Sequence, residues 1–125
     1  MLKILLLMGG GAIGTVLRYF TYEITKSTGP LNLLGTVSVN LAGSFAIGLL
    51  WGYTYKETQD VFVKNFLFIG LLGGYTTFST YSLNIMNLLQ QGNYKMLALY
   101  AGATNILAVL LVIAGFLLGK SLSLE

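Results

Sequence analysis

Three long stretches of this sequence carry no charged side chain. They cover residues 27–55, 65–94 and 96–119, and hold 29, 30 and 24 residues. A helix of about 20 apolar residues crosses the hydrocarbon core of a bilayer, so each stretch is long enough for one span. A fourth stretch, residues 4–17, is shorter and ends at Arg18. It continues without charge beyond that residue, which allows a span if Arg18 lies near a membrane interface.

The composition agrees with a chain that faces lipid. Charged residues make up 9% of the sequence and hydrophobic residues 55%, whereas soluble domains carry about 25% charged residues. We therefore predict an all-α protein of the cell membrane, with one multi-pass domain over residues 1–125 and the lipid bilayer as its surroundings. The four transmembrane helices are expected near residues 3–24, 32–54, 62–90 and 95–119.

Several function classes lack their usual groups. Cysteine and histidine are absent, which removes thiolate metal sites and the commonest acid–base group. The three long stretches hold no Asp, Glu, Lys or Arg, although proton-coupled transporters place such a group inside the membrane. No phosphate-binding glycine loop is present, and the scattered basic residues form no run that would bind nucleic acid. We predict no enzymatic activity and no nucleic-acid partner, but passive movement of a solute.

The basic residues leave the orientation of the chain open. If four helices span the membrane, one side holds Lys3, Lys56, Lys64 and Lys120, and the other holds Arg18, Lys26 and Lys95. An excess of Lys and Arg on one side normally fixes orientation, and here it amounts to one charge. Either that charge is sufficient, or copies insert both ways and form an antiparallel dimer, which would supply the inverted symmetry common in transport proteins.

Small residues recur four apart in every predicted helix, a spacing that lets helix backbones approach closely in lipid. The pairs are Gly10 and Gly14, Ala42 and Ala46, Ser44 and Gly48, Gly70 and Gly74, and Ala98 and Gly102.

The third stretch contains the densest polar segment. Gly73 and Gly74 precede five hydroxyl residues, which are Thr76, Thr77, Ser79, Thr80 and Ser82. This pattern predicts a third helix that is broken in mid-membrane, where freed carbonyl groups are tolerated only if protein, water or an ion satisfies them. The alternative is a packing kink whose hydroxyls bond back to the helix.

A few side chains within the spans are suited to weak contacts with an anion. Phe78 and Tyr81 lie three apart and share a helix face, and the edge of an aromatic ring is positive. Asn40 supplies an amide donor, and Tyr100 and Thr104 lie four apart as hydroxyl donors. Aromatic packing and an Asn that only joins helices remain alternatives.

Three segments carry a family resemblance. Residues 10–19, 35–45 and 73–82, read in order, resemble the Fluc (CrcB) family of fluoride channels over nearly the whole chain. The resemblance implies passive fluoride export through two pores of a dual-topology antiparallel homodimer. It also implies a structural sodium ion at the dimer centre, held by the backbone carbonyls of Gly73 and Thr76.

The resemblance further implies a fluoride path with two aromatic positions, an amide donor, a polar track on the last helix and an arginine near the pore mouth. Its residues are expected to be Asn40, Phe78, Tyr81, Thr77, Ser79, Tyr100, Thr104 and Arg18.

Three positions depart from the family pattern. Tyr81 stands where a second Phe is commoner, and because its ring edge is kept we expect Tyr81→Phe to be mild. Asn84 replaces a frequent glutamate, and Ala108 lacks a hydroxyl that is often present.

Two other functions remain alternatives. A small multidrug transporter would carry an acid in the middle of its first helix, where this chain has Gly14. A membrane assembly subunit would explain the glycine pairs but not the aligned polar residues.

Overall fold

The helices were located in a computed structural model that describes residues 1–26, 32–54 and 60–123. Within those residues the structure is helical and contains no strand. The elements are α1 (Leu2–Thr25), α2 (Leu33–Tyr53), a π-helical segment (Val63–Leu72, here the π segment), α3 (Gly73–Tyr75), α4 (Phe78–Gln90) and α5 (Tyr94–Leu122). Helices α1, α2 and α5 are long and apolar enough to cross a membrane.

The predicted all-helical class is confirmed, and three of the four predicted helices correspond to α1, α2 and α5 within a few residues. The stretch predicted as the third helix, residues 62–90, is divided among the π segment, α3 and α4. Side chains define several of the boundaries. Asn32 caps α2 by accepting from the Gly35 N–H, and Asn93 caps α5 by accepting from the Met96 N–H, as N-cap residues commonly do.

Helices α2 and α5 pack closely because glycines lie along their contact. A Cβ atom at Gly48 would overlap the carbonyl oxygen of Val112, and one at Gly52 would overlap that of Phe116. Gly115 of α5 lies in the same way against the α2 backbone. The paired positions advance together along both chains, so α2 and α5 run parallel, as the second and fourth spans of a four-span protein must.

Helix α1 packs in the same manner on the π segment and α3. A Cβ atom at Gly10 would overlap the Phe66 carbonyl oxygen, and one at Gly14 would overlap that of Leu71. The register again advances in one direction, so the first and third segments run parallel. The predicted role of the small residues in close packing is confirmed at these positions. Gly102, in contrast, meets no atom of the described chain within 4 Å.

The distribution of side chains is inverted relative to a soluble protein. Large apolar side chains such as Val109 and Leu117 are 60% exposed on α5. Polar residues such as Thr36, Asn84 and Thr104 are buried. Lipid suits the apolar exterior, and polar groups that would be costly in hydrocarbon are kept inside among protein partners.

Candidate functional site

Helical structure stops between α3 and α4. Thr76 has φ −82° and ψ 160°, and Thr77 has φ −150° and ψ 115°, so both residues are extended. Gly73, by contrast, keeps helical angles of φ −64° and ψ −35°. The paired glycines therefore lie in the last helical turn, and the extended residues are the two threonines that follow.

The side chain of Asn40 on α2 holds this interruption. Its Oδ1 accepts a hydrogen bond from the Thr77 N–H at 2.9 Å, and its Nδ2 donates to the Thr77 carbonyl at 3.0 Å. In a continuous helix the Thr77 N–H would donate to the carbonyl of Gly73. The amide of Asn40 thus replaces a backbone partner and leaves the Gly73 carbonyl without its helical donor.

Thr77 also caps the helix that follows. Its Oγ1 accepts from the Thr80 N–H at 3.2 Å and lies 3.1 Å from both the Ser79 Oγ and the Thr80 Oγ1. In a continuous helix the Thr80 N–H would donate to the Thr76 carbonyl. The carbonyls of Gly73 and Thr76, which the family resemblance implies as ion ligands, are therefore both carbonyls whose helical donors are bonded elsewhere.

Some hydroxyls do bond back to the helix, as the packing-kink alternative requires. Thr76 Oγ1 donates to the Leu72 carbonyl at 2.9 Å, and Ser82 Oγ donates to the Phe78 carbonyl at 3.0 Å. Hydroxyls on either side of the interruption therefore bond to their own helices, whereas the backbone of Thr77 at its centre bonds to Asn40 of α2.

Arg18 reaches the interruption from α1. Its Nη1 donates to the Thr76 carbonyl oxygen at 3.1 Å in a half-buried position. This contact replaces one of the lost helical donors and brings a positive charge to the freed carbonyl. It also explains how a charged side chain fits within the first apolar stretch, since hydrogen bonds to a charged group are among the stronger ones.

A cavity of about 380 Å³ lies beside the interruption. It brings together most of the residues expected in the ion path and both carbonyl residues, but its lining does not include Arg18, Ser79 or Tyr100. The lining residues are Asn40, Gly43, Ser44, Ile47, Phe68, Leu72, Gly73, Thr76, Thr77, Phe78, Tyr81, Thr104, Asn105 and Ala108.

Three aromatic rings form a row that leads from this cavity into the protein. The Phe78 and Tyr81 centroids are 5.5 Å apart, and the Tyr81 and Tyr100 centroids are 5.4 Å apart. Phe78 is 77% exposed, whereas Tyr81 and Tyr100 are 7% and 5% exposed. The shared face of Phe78 and Tyr81 agrees with their spacing, and the Phe78 ring is left uncovered by the described part of the chain.

Asn105 belongs to the site although its helical spacing separates it from Tyr100 and Thr104. Its Nδ2 donates to the Tyr81 hydroxyl oxygen at 2.7 Å, and it lines the cavity with Thr104. The available signal was an uncharged polar residue inside an apolar span. Helical spacing alone does not pair it with Tyr81, because the two residues lie on different helices.

A second group of polar residues is buried on the far side of Tyr100. Asn84 Nδ2 donates to the Tyr100 hydroxyl at 3.1 Å and to Thr36 Oγ1 at 3.0 Å, and Thr36 Oγ1 lies 2.7 Å from the Tyr22 hydroxyl. The amide of Asn84 acts here as a donor to two hydroxyls, which a carboxylate at this position would not do.

The electrostatics of the site come from dipoles and one cation. None of the described residues that line the cavity is acidic, and Arg18 contacts the adjacent carbonyl. Within the described residues no group of three His, Cys, Asp or Glu side chains could hold a metal ion. The polar oxygens of the described residues that line the cavity belong to neutral groups, which are backbone carbonyls, hydroxyls and side-chain amides.

Comparison with known proteins decides the family. Residues 5–116 match the family model described as CrcB-like protein, Camphor Resistance (CrcB). The chain belongs to the CrcB family. The three sequence segments that resembled this family all lie within the matched residues, so the predicted membership is confirmed.

Several CrcB relatives cover nearly the whole chain. A Parabacteroides distasonis protein named fluoride-specific ion channel FluC is 40% identical over 123 residues, which are 98% of this chain and 96% of the relative. Relatives of the same name from Campylobacter jejuni and Agrobacterium fabrum are 40% and 38% identical over 96% and 98% of this chain, and over 100% and 99% of their own lengths. CrcB membership and the apolar helices together identify a multi-pass membrane protein.

Proposed function

We propose that this chain is a fluoride channel that exports fluoride passively across the cell membrane. The observation that carries the proposal is a helix interruption, held by Asn40, that opens on a cavity lined by weak donors. The described residues that line this cavity include no acidic side chain. The name shared by the relatives supports fluoride as the ion.

Selective conduction requires that the pore replace the water around the ion without trapping it. Three groups on the cavity are suited to this: the edge of the Phe78 ring, the hydroxyl of Thr104 and the second Nδ2 hydrogen of Asn40. Because the other Asn40 hydrogen bonds Thr77, this side chain serves mainly to hold the backbone and offers one N–H to the ion. Several weak contacts in sequence favour entry and still allow release.

The proposed pore needs a second copy of the chain. Phe78 is 77% exposed in a single protomer, which suits an aromatic residue that a partner would cover. The near-equal division of basic residues between the two sides favours an antiparallel homodimer with two pores. In that arrangement the interruption lies at the middle of the bilayer, where its freed carbonyls have protein or ions as neighbours.

The same dimer would hold a structural sodium ion. The carbonyls of Gly73 and Thr76 have lost their helical donors to side chains, and hard carbonyl oxygens suit a hard cation. The Thr76 oxygen already accepts from Arg18, and a carbonyl has a second lone pair for another partner. A bound sodium ion would supply positive charge that satisfies these oxygens in both protomers.

Thermal unfolding of the purified dimer tests the ion. Replacing sodium by N-methylglucamine at equal ionic strength should lower the unfolding midpoint, because an ion that binds only the folded dimer stabilises it. An unchanged midpoint in sodium, potassium and N-methylglucamine would argue against the sodium proposal without affecting the channel itself.

Fluoride efflux from liposomes tests the proposed function. Vesicles loaded with potassium fluoride and containing the protein should release fluoride to an electrode when valinomycin is added, and chloride-loaded vesicles should not release chloride. Absence of fluoride release would refute the channel. Proton-driven movement of organic cations would instead favour the multidrug transporter. That family carries an acid at the position of Gly14, but here the Leu71 carbonyl lies so close that it leaves no room for a side chain.

A further inference from the structure

The side chain of Tyr81 is almost enclosed, and this residue lines the cavity. Tyr81 is 7% exposed and lines the same cavity as Thr104. Its oxygen lies 2.7 Å from Asn105 Nδ2. A buried phenol normally satisfies both its oxygen and its proton, so the partners of these two atoms determine what the residue offers to an ion.

The direction of the contact between Asn105 and Tyr81 follows from a third group. Asn105 Nδ2 also lies 2.7 Å from the Ala101 carbonyl oxygen, which can only accept a hydrogen bond. The amide must therefore turn its nitrogen toward that carbonyl, and the same nitrogen then faces Tyr81. Both Nδ2 hydrogens of Asn105 are used, and the Tyr81 oxygen is an acceptor.

The proton of the Tyr81 hydroxyl is left for another partner. A phenol has one proton to donate, and within the described residues no other hydrogen bond involves this hydroxyl. The hydroxyl of Thr104, also buried at 6% exposure, lines the same cavity. Two residues that carry hydroxyl donors therefore line one cavity, and none of the described residues that line it is acidic.

We propose that the Tyr81 hydroxyl donates a hydrogen bond directly to the permeating fluoride, and that Asn105 is the positioning residue that directs its proton there. This inference rests on the proposed fluoride channel and adds a donor that a phenylalanine at this position cannot provide. An O–H donor to an anion is stronger than a ring edge. On this proposal Tyr81→Phe should have a larger effect than the mild one expected from the sequence.

The test is the fluoride concentration dependence of efflux for Tyr81→Phe in reconstituted dimers. Loss of one hydrogen bond to an anion should raise the half-saturating fluoride concentration about tenfold. Tyr53→Phe is the matched control, since Tyr53 is 57% exposed at the end of α2 and its hydroxyl lies outside the cavity. A wild-type concentration dependence in Tyr81→Phe would overturn the inference.

Asn105→Ala tests the role of Asn105 in positioning the Tyr81 hydroxyl. It also provides a second test of the proposal if Tyr81→Phe does not assemble. It should raise the half-saturating concentration about threefold with little change in the maximal rate, because the hydroxyl remains but loses its direction. In the Tyr81→Phe background, Asn105→Ala should cause no further rise in the half-saturating fluoride concentration, because both residues act through the same hydroxyl. Additive effects, or a change in maximal rate alone, would overturn the role of Asn105.

The two proposals fail in different ways. If wild-type vesicles release fluoride but Tyr81→Phe behaves like wild type, only the Tyr81 donor is refuted. If wild-type vesicles release none, the channel and the donor are refuted together.

Discussion

The side-chain amide of Asn40 binds both backbone groups of Thr77, which lies 37 positions later in the chain. One amide thereby satisfies the N–H and the carbonyl of an extended residue, as a neighbouring backbone would. An unsatisfied buried N–H or carbonyl costs about 1–3 kcal/mol. Asn40 therefore stabilises a local conformation that hydrocarbon would otherwise strongly disfavour.

Asn40→Asp should reduce fluoride efflux about a hundredfold. The substitution places a carboxylate oxygen where Nδ2 now donates to the Thr77 carbonyl at 3.0 Å. Two oxygens at that distance repel, and a negative charge beside the cavity repels fluoride as well. A penalty of about 3 kcal/mol corresponds to that loss. Efflux is measured with a fluoride electrode on variants that elute as dimers.

Asn93→Asp is the matched control for that experiment. Asn93 accepts from the Met96 N–H as the cap of α5, and an aspartate keeps this acceptor. Its efflux should remain close to that of wild type. Comparable losses for the two variants would mean that added negative charge, rather than the bond to Thr77, causes the effect.

Phe78→Ile should lower efflux by as much as about tenfold. The isoleucine keeps apolar bulk but removes the positive ring edge, whose interactions are worth about 0.5–1.5 kcal/mol. Because Phe78 is 77% exposed in the single chain, its replacement should leave the helices folded. Phe62→Ile changes a half-exposed ring that stacks on Phe66 away from the cavity, and should conduct normally. Normal conduction by Phe78→Ile would place the path on another face.

Arg18→Gln should slow efflux by about tenfold, and Arg18→Lys by less. Both lose the contact from Nη1 to the Thr76 carbonyl, but lysine keeps a positive charge near the interruption while losing the planar geometry of arginine. Lys26→Gln, on the exposed end of α1, controls for the loss of a basic residue. Equal efflux from the glutamine and lysine variants would show that the charge itself contributes nothing.

Gly14→Ala should destabilise the protein, whereas Gly102→Ala should not. A methyl group at Gly14 would overlap the Leu71 carbonyl, which is backbone and cannot turn aside, but one at Gly102 would meet open space. Overpacking costs about 1–3 kcal/mol, and an alanine in an uncrowded helix position gains about 0.5–1 kcal/mol over glycine. The unfolding midpoints in detergent should therefore move in opposite directions. A parallel shift would contradict the packing described for α1.

Two of the long uncharged stretches were sufficient to predict α2 and α5, because length and apolarity determine a membrane span. Helix α1 was predicted from the shorter stretch 4–17 and its uncharged continuation beyond Arg18. The interruption within residues 62–90 could be predicted only in part. Gly73 and Gly74 suggested where a helix weakens, but the extended residues are Thr76 and Thr77. Their position is set by the distant Asn40, and no local pattern contains that information.

At the candidate site, contacts within one helix could likewise be predicted from the sequence, but contacts between helices could not. Phe78 and Tyr81 could be grouped from their spacing, since both lie on α4. Asn105 could not be joined to Tyr81 from spacing, because the angle between α4 and α5 decides which residues of the two helices meet. The buried contact of Asn84 with Tyr100 depends on the same angle.

The orientation of the chain is open to a direct test, because the sequence contains no cysteine and a single introduced thiol can be followed alone. In a four-span chain residues 3 and 95 lie on opposite sides of the membrane. If copies insert both ways, Lys3→Cys and Lys95→Cys should each be labelled to about one half by an impermeant maleimide added to whole cells, with full labelling after permeabilisation. A fixed orientation would label one variant almost completely and leave the other unlabelled, and would exclude the antiparallel homodimer. Each variant thus controls for the other, because poor accessibility at one position cannot produce complete labelling at the opposite one.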